Sequence, residues 1–224
     1  MGGEPVHFEI LVEDRSGKKA LDILVPKIVG EAHTFVVHPY KGVGRIPRNM
    51  KDTDAADKRI LFENLPKLLK GYGRTFGGYH NQYGAAVILV CDLDDKCLKA
   101  FRQNLLGILN SCSPKPETRF CLAIEEGEAW FLGDLSAVTR SYPKAKNNVL
   151  LSYVNDSICG TWETLADAVY PGGSHALSAK GWQAVGIEKS KWAETIAPRM
   201  DVTSNNSPSF CYFRGKLQEL AGVQ

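Results

Sequence analysis

Ala85-Ala86-Val87-Ile88-Leu89-Val90-Cys91 is a nearly continuous apolar run that stops abruptly at Asp92-Leu93-Asp94-Asp95. The run has strand length and lacks in/out alternation. It therefore predicts a strand covered by protein on both faces, as in the middle of a parallel sheet. Helical spacing follows at once in Leu98, Phe101, Leu105 and Leu109. The unit is strand, acidic turn, helix.

Working outward, the unit recurs. Phe8-Glu9-Ile10-Leu11-Val12 is β-prone and ends at Glu13-Asp14, with Ser16 placed to cap a helix carrying Ala20, Leu21, Leu24 and Ile28. Thr34-Phe35-Val36-Val37 is a second strand, and residues 55–70 have helical spacing that Pro66 is expected to break or kink. Arg119-Phe120-Cys121-Leu122-Ala123-Ile124 is a further strand running into Glu125-Glu126-Gly127-Glu128. Strands alternating with helices to about residue 135 predict an α/β fold, with a Rossmann-like, mostly parallel sheet flanked by helices. One domain over 1–224 is expected, with its core in 6–135 and a helical C-terminal portion in 136–224. There Trp162, Leu165, Ala166 and Val169 mark one helix, and Ser207-Pro208 starts another that bears Phe210, Phe213, Leu217 and Leu220.

The 224 residues are 44% hydrophobic and 23% charged, an ordinary globular balance that excludes a wholly disordered chain. A net charge of +2 carries no bulk signature of a nucleic-acid binder. None of the six cysteines forms a CxxC pair, which argues against a zinc knuckle and for small buried hydrophobes. The five scattered histidines show no HxxxH spacing. No apolar span approaches the roughly 18 residues that cross a bilayer, so a cytoplasmic location without a membrane partner is the expectation. Gly71-Tyr72-Gly73-Arg74-Thr75-Phe76-Gly77-Gly78 lacks a Walker ending and reads as a flexible connection. Trp130 reads as core, and Trp162, Trp182 and Trp192 as packing or partner contacts.

Function gathers beyond the carboxyl ends of strands in open α/β sheets. Three acidic clusters fall at such ends: Glu13-Asp14, Asp92 to Asp95, and Glu125 to Glu128. Parallel strands bring all three to one edge. Carboxylates so gathered suit a hard cation, Mg²⁺ or Mn²⁺, which takes one or two carboxylates plus waters and substrate phosphates. Taken singly, Asp94 and Asp95 also read as helix caps, and Glu125 and Glu126 as the start of a helix.

Val12-Glu13 before a helix, with Val90-Cys91-Asp92-Leu93-Asp94 later, resembles the Toprim signature. Glu128-Ala129-Trp130-Phe131-Leu132-Gly133-Asp134, with Ser207-Pro208-Ser209-Phe210 near the end, resembles a bacterial Toprim-like family of unknown function. That resemblance implies Mg²⁺-dependent phosphodiester chemistry on DNA or RNA, as in a nuclease. By residue it implies Glu13 as acid/base or metal ligand, Asp92 and Asp94 as metal ligands, and Glu128 as a further acidic residue of the site. It also implies an ATPase partner in a phage-defence setting. Asp14 departs from the glycine that often follows the Toprim glutamate. Lys41, Arg45 and Arg48, interleaved with Tyr40, are the candidate nucleic-acid contacts. A non-catalytic subunit of an ATPase complex, and an enzyme for a small phosphorylated molecule, stay open as alternatives, as does a homo-oligomer.

Overall fold

The computed structural model describes residues 4–41, 61–79, 84–157 and 160–223. Among these, the strands β1 (Val6–Val12), β2 (Thr34–Pro39), β3 (Gly84–Asp92) and β4 (Thr118–Ala123) form one sheet in the order β2-β1-β3-β4. Every pairing is parallel. Helices α1 (Arg15–Val29), α2 (Leu61–Gly77) and α3 (Leu98–Asn110) connect the strands. The chain then continues as α4 (Glu128–Leu132), α5 (Leu135–Ser141), α6 (Asn147–Ser152), α7 (Thr161–Val169), α8 (Gly173–Ser178), α9 (Trp182–Ile196) and α10 (Pro208–Ala221). The fold is α/β and Rossmann-like with a helical C-terminal portion, as the alternation predicted.

β3 lies inside the sheet and is buried on both faces, which is why its sequence does not alternate. Ala86, Ile88 and Val90 join one core with Phe8, Ile10 and Val12. Val87, Leu89 and Cys91 join another with Leu11, Phe120 and Leu122. The first core is closed by Leu21, Leu24, Val25 and Ile28 of α1 together with Trp192 of α9 and Phe210, Phe213 and Leu217 of α10. The second is closed by Leu61, Phe62, Leu65 and Leu69 of α2 and Phe101 and Leu105 of α3. The C-terminal helices thus complete one face of the sheet, against α1. Ser207 caps α10, its side chain accepting from the Phe210 N–H, with Pro208 in the first turn.

Three local expectations are corrected. Asp14, not Ser16, is the N-cap of α1: its Oδ1 accepts from the Gly17 N–H at 2.7 Å. Asp14 has φ −144°, an extended conformation open to any residue, so this turn needs no glycine. The glycine-rich stretch is the end of α2, not a flexible connection, and the helix runs through Pro66 without a break. Packing overrides propensity there: a Cβ on Gly73 would stand 2.0 Å from the Pro114 carbonyl oxygen, so only glycine lets the helix approach so closely. The start expected for this helix, residues 55–60, lies outside the described residues.

Candidate functional site

The parallel register decides what meets at the carboxyl edge. Val12 pairs with Val90, and Asp92 with Ala123, so Glu13, Asp92 and the segment after Ala123 emerge side by side. Glu13 Oε2 accepts from the Asp92 N–H at 3.4 Å across the β1–β3 seam. Gly127 adjoins Asp92, since a Cβ there would lie 3.7 Å from Asp92 Oδ1. Glu13, Asp14, Asp92, Glu128 and Lys189 line one pocket whose apolar wall includes Val12, Leu21 and Trp130. Its cavity of ≈ 50 Å³ holds a few waters or an ion and excludes a nucleoside.

Electrostatics divides the cluster. Burial pushes the Glu13 carboxyl up to about 7; the Asp92 N–H offsets this, and Asp94 and Asp14 add to it. Burial, followed by the charge of Glu13, holds Asp92 well above the usual carboxylate range, against the pull of Lys189. Burial raises the proton affinity of both groups, and the neighbouring carboxylates add to it. On the other side Lys189 Nζ donates to Glu128 Oε2 at 3.1 Å and to Glu126 Oε1 at 3.3 Å. Side-chain exposures of 16% for Lys189 and 6% for Glu128 make this a buried ion pair. Burial works against the Lys189 charge, yet Glu128, Glu126 and Asp92 hold its proton more tightly than a free lysine holds its own. Burial also raises Glu126 to about 7, opposed by Lys189.

Asp94 does not line the pocket, although its charge acts on Glu13. It has φ 51° and bridges to Glu125, its N–H donating to the Glu125 carbonyl at 2.9 Å, while Lys96 holds its carboxylate. Neither Asp94 nor Asp95 caps α3, whose N-cap is Cys97. Glu125 and Glu126 do not start a helix. Glu125 accepts from the N–H groups of Gly160 and Thr161, both at 2.9 Å, and Glu126 Oε2 from the Trp162 N–H at 3.1 Å. The opening of α7 is thereby fastened to the site. Among the proposed nucleic-acid contacts, Lys41 is exposed, and Arg45 and Arg48 lie outside the described residues. Cys91 is buried beneath Glu13 and Asp92 with its thiol pushed well up, first by burial, so it is not a nucleophile.

The sequence reading missed Glu126 as a site group and Lys189 altogether. A basic residue seven positions after Trp182 on a C-terminal helix gives no local sign that it reaches the end of β3.

Among the described residues, no three His, Cys, Asp or Glu side chains are arranged to hold a metal ion. Mg²⁺ needs only one or two carboxylates, because it keeps most of its waters. Glu13 and Asp92 supply two that stand in no direct ion pair, although Lys189 lines the same ion-sized cavity, so this pair fits such an ion. Glu128 lines the same pocket but is engaged by Lys189.

Comparison with protein-family models, with curated proteins and with solved structures gave no match.

Proposed function

We propose that the Glu13–Asp92 pocket is the centre of a divalent-cation-dependent phosphodiester hydrolase acting on nucleic acid. The observation that supports it most is the juxtaposition of these two half-buried carboxyls, both with raised proton affinity, at the carboxyl edge of the sheet. Carboxylates buried without a cation repel a phosphate, so binding of substrate and of Mg²⁺ or Mn²⁺ go together. The bound ion would polarise a phosphoryl oxygen and acidify a water. Asp92 would hold the ion, beside Glu13. With the ion on Asp92, Glu13 would take the proton of the attacking water on Oε1, since Oε2 faces the Asp92 N–H, and would pass it to the leaving sugar oxygen as the P–O bond breaks. Lys189 fixes Glu126 and Glu128, and Glu126 in turn fixes the opening of α7. Lys41, with Arg45 and Arg48, is the proposed contact to the phosphate backbone.

The test is cleavage of labelled single- and double-stranded DNA and RNA with Mg²⁺, Mn²⁺ or EDTA. Cation-dependent products from the wild type that vanish in Glu13→Gln and Asp92→Asn are expected. A wild type that cleaves none of them, or variants as active as the wild type, would end this reading. A second reading, a non-catalytic subunit of an ATPase complex, is favoured by Lys189 and Lys96, which already supply counterions within the chain. Calorimetry separates the two: the hydrolase takes up Mg²⁺ with measurable heat that Asp92→Asn removes, and the regulatory subunit does not.

A further inference from the structure

Trp182 differs from the other tryptophans. Trp130, Trp162 and Trp192 are 4%, 5% and 0% exposed, whereas Trp182 is 81% exposed. The expectation from sequence is packing or a partner contact, rather than a base-stacking platform, for all three later tryptophans; Trp162 and Trp192 pack in the core, and Trp182 is exposed. The Trp182 indole is nonetheless held in place, meeting Trp162 edge to face with centroids 6.4 Å apart and planes at 61°. At that exposure at least one of its ring faces is open to solvent.

Its position ties it to the carboxylate pocket. The Trp162 N–H donates to Glu126 Oε2 at 3.1 Å, and Lys189 Nζ donates to Glu126 Oε1 at 3.3 Å. Trp182 and Lys189 are seven residues apart on α9, hence on one side of the helix and separated by about 10 Å along its axis. Lys180, also exposed, stands just before Trp182 and reaches the Tyr170 hydroxyl at 2.7 Å. The open indole thus lies two helical turns from Lys189, which lines the pocket, on the same side of α9, with Lys180 two residues before it in the chain.

We propose that Trp182 is a stacking platform for an unpaired nucleobase of the strand whose phosphate sits at Glu13 and Asp92, which makes single-stranded nucleic acid the substrate class. The proposal rests on the hydrolase reading of that pocket. The cavity of ≈ 50 Å³ admits a phosphate oxygen and no base, so any hold on the base lies outside it. Stacking on an exposed ring tolerates every sequence, because every base has a π-face. In a duplex those faces are already stacked and cannot be reached without extruding the base.

The test is made with the Glu13→Gln protein in Mg²⁺, where binding is read without turnover. A fluorescent single-stranded oligonucleotide and its duplex are titrated by anisotropy. Adding Trp182→Ala should weaken single-strand binding roughly tenfold and leave the duplex unchanged, while Trp182→Phe keeps most of the binding. Cleavage by wild type and by Trp182→Ala is measured separately. Weakened single-strand binding with no cleavage by the wild type sustains the platform and removes the hydrolase reading. Normal cleavage with unchanged binding in Trp182→Ala overturns the platform alone. If the Glu13→Gln parent and the wild type in Ca²⁺ both bind neither strand form, the platform is overturned, and the cleavage assay then decides the hydrolase by itself. If Trp182→Ala leaves nucleic-acid binding intact and abolishes self-association in sedimentation, the indole docks protein and the proposal is overturned.

Discussion

Glu13 with Asp92, and Glu126 with Glu128, stand at the same edge of one sheet, yet of the two only the second pair touches a cation of the chain, while Lys189 acts on Asp92 from further away. Lys189 lies between Glu126 and Glu128, whereas the first pair has one long backbone hydrogen bond and each other. The cost of burying charge is met in two ways. On one side an ammonium offsets it, and on the other the carboxyls keep their protons until something positive arrives. A carboxylate cluster is thus not uniform, and the half without a counterion is the one suited to a ligand. Glu9, four residues before Glu13, makes the same point from outside the site. It sits among His7, His38 and Tyr72, with His38 Nε2 at 2.6 Å and the Tyr72 hydroxyl at 3.2 Å, and so has partners in plenty.

The division predicts opposite outcomes for similar substitutions. Asp92→Asn and Glu13→Gln should lower cation-dependent cleavage about 10²–10⁴-fold, the range for losing a positioned acid/base group or its equivalent. In EDTA above about pH 7, where the native Glu13 ionises, Glu13→Gln should be more stable than the wild type, because the amide carries no repelled charge. Urea unfolding read beside the cleavage assay gives both numbers, and a variant that loses stability together with activity would make the pair structural.

Lys189→Met acts on the other half. It strands Glu126 and Glu128 without their cation and should cost about 3–5 kcal/mol in urea unfolding, as for breaking a buried pair by removing one partner. Adding Glu126→Gln and Glu128→Gln should restore most of the loss. A loss under about 1 kcal/mol would mean that the pair behaves as a surface bridge.

How far this was legible differs by residue. The run from Ala85 to Cys91 announced a two-sided strand because burial on both faces leaves no polar position, and β3 is that strand. Given parallel strands, the meeting of Glu13 and Asp92 followed from topology. Lys189 did not follow, because its burial depends on α9 packing across α1, a tertiary fact with no local pattern. The glycines at 71–78 misled because intrinsic propensity favours a loop, whereas Gly73 is required by contact with Pro114. The place of Asp94 did not follow either, because the Asp-x-Asp spacing says nothing about a backbone at φ 51°.

Acidity gives a smaller and graded effect. In the folded protein Glu13 and Glu126 bind their protons more tightly than in the unfolded chain, with values near 7 against 4.5. Between those pH values the native state holds more protons, so stability in EDTA falls as pH rises, is fully present below about 4.5 and is lost by about 7. Each group contributes at most about 3 kcal/mol. Mg²⁺ should flatten the part due to Glu13 and leave the part due to Glu126, which Lys189 already faces. Denaturation midpoints across pH, with and without Mg²⁺ and in Glu13→Gln, check this. A pH dependence unaltered by Glu13→Gln would show that Glu13 keeps no extra proton.

The smallest effect is expected at Asp94. Its carboxylate is 46% exposed and its partner Lys96 is 34% exposed, so breaking the pair with Asp94→Asn should cost less than about 1 kcal/mol. Cleavage should fall far less than in Asp92→Asn, since the pocket at Glu13 and Asp92 is built without Asp94. This is the sharpest discrimination between the site read from sequence and the site seen in the fold. A motif reader counts Asp92 and Asp94 as equals. The backbone does not, because it pairs Asp94 with Glu125 and turns its side chain to Lys96. Equal loss of cleavage in the two variants would mean that Asp94 leaves Lys96 and turns inward when the cation binds. Lys96→Met, which frees Asp94, should then tighten Mg²⁺ binding in calorimetry; if Asp94 stays outside the site, Mg²⁺ affinity is unchanged.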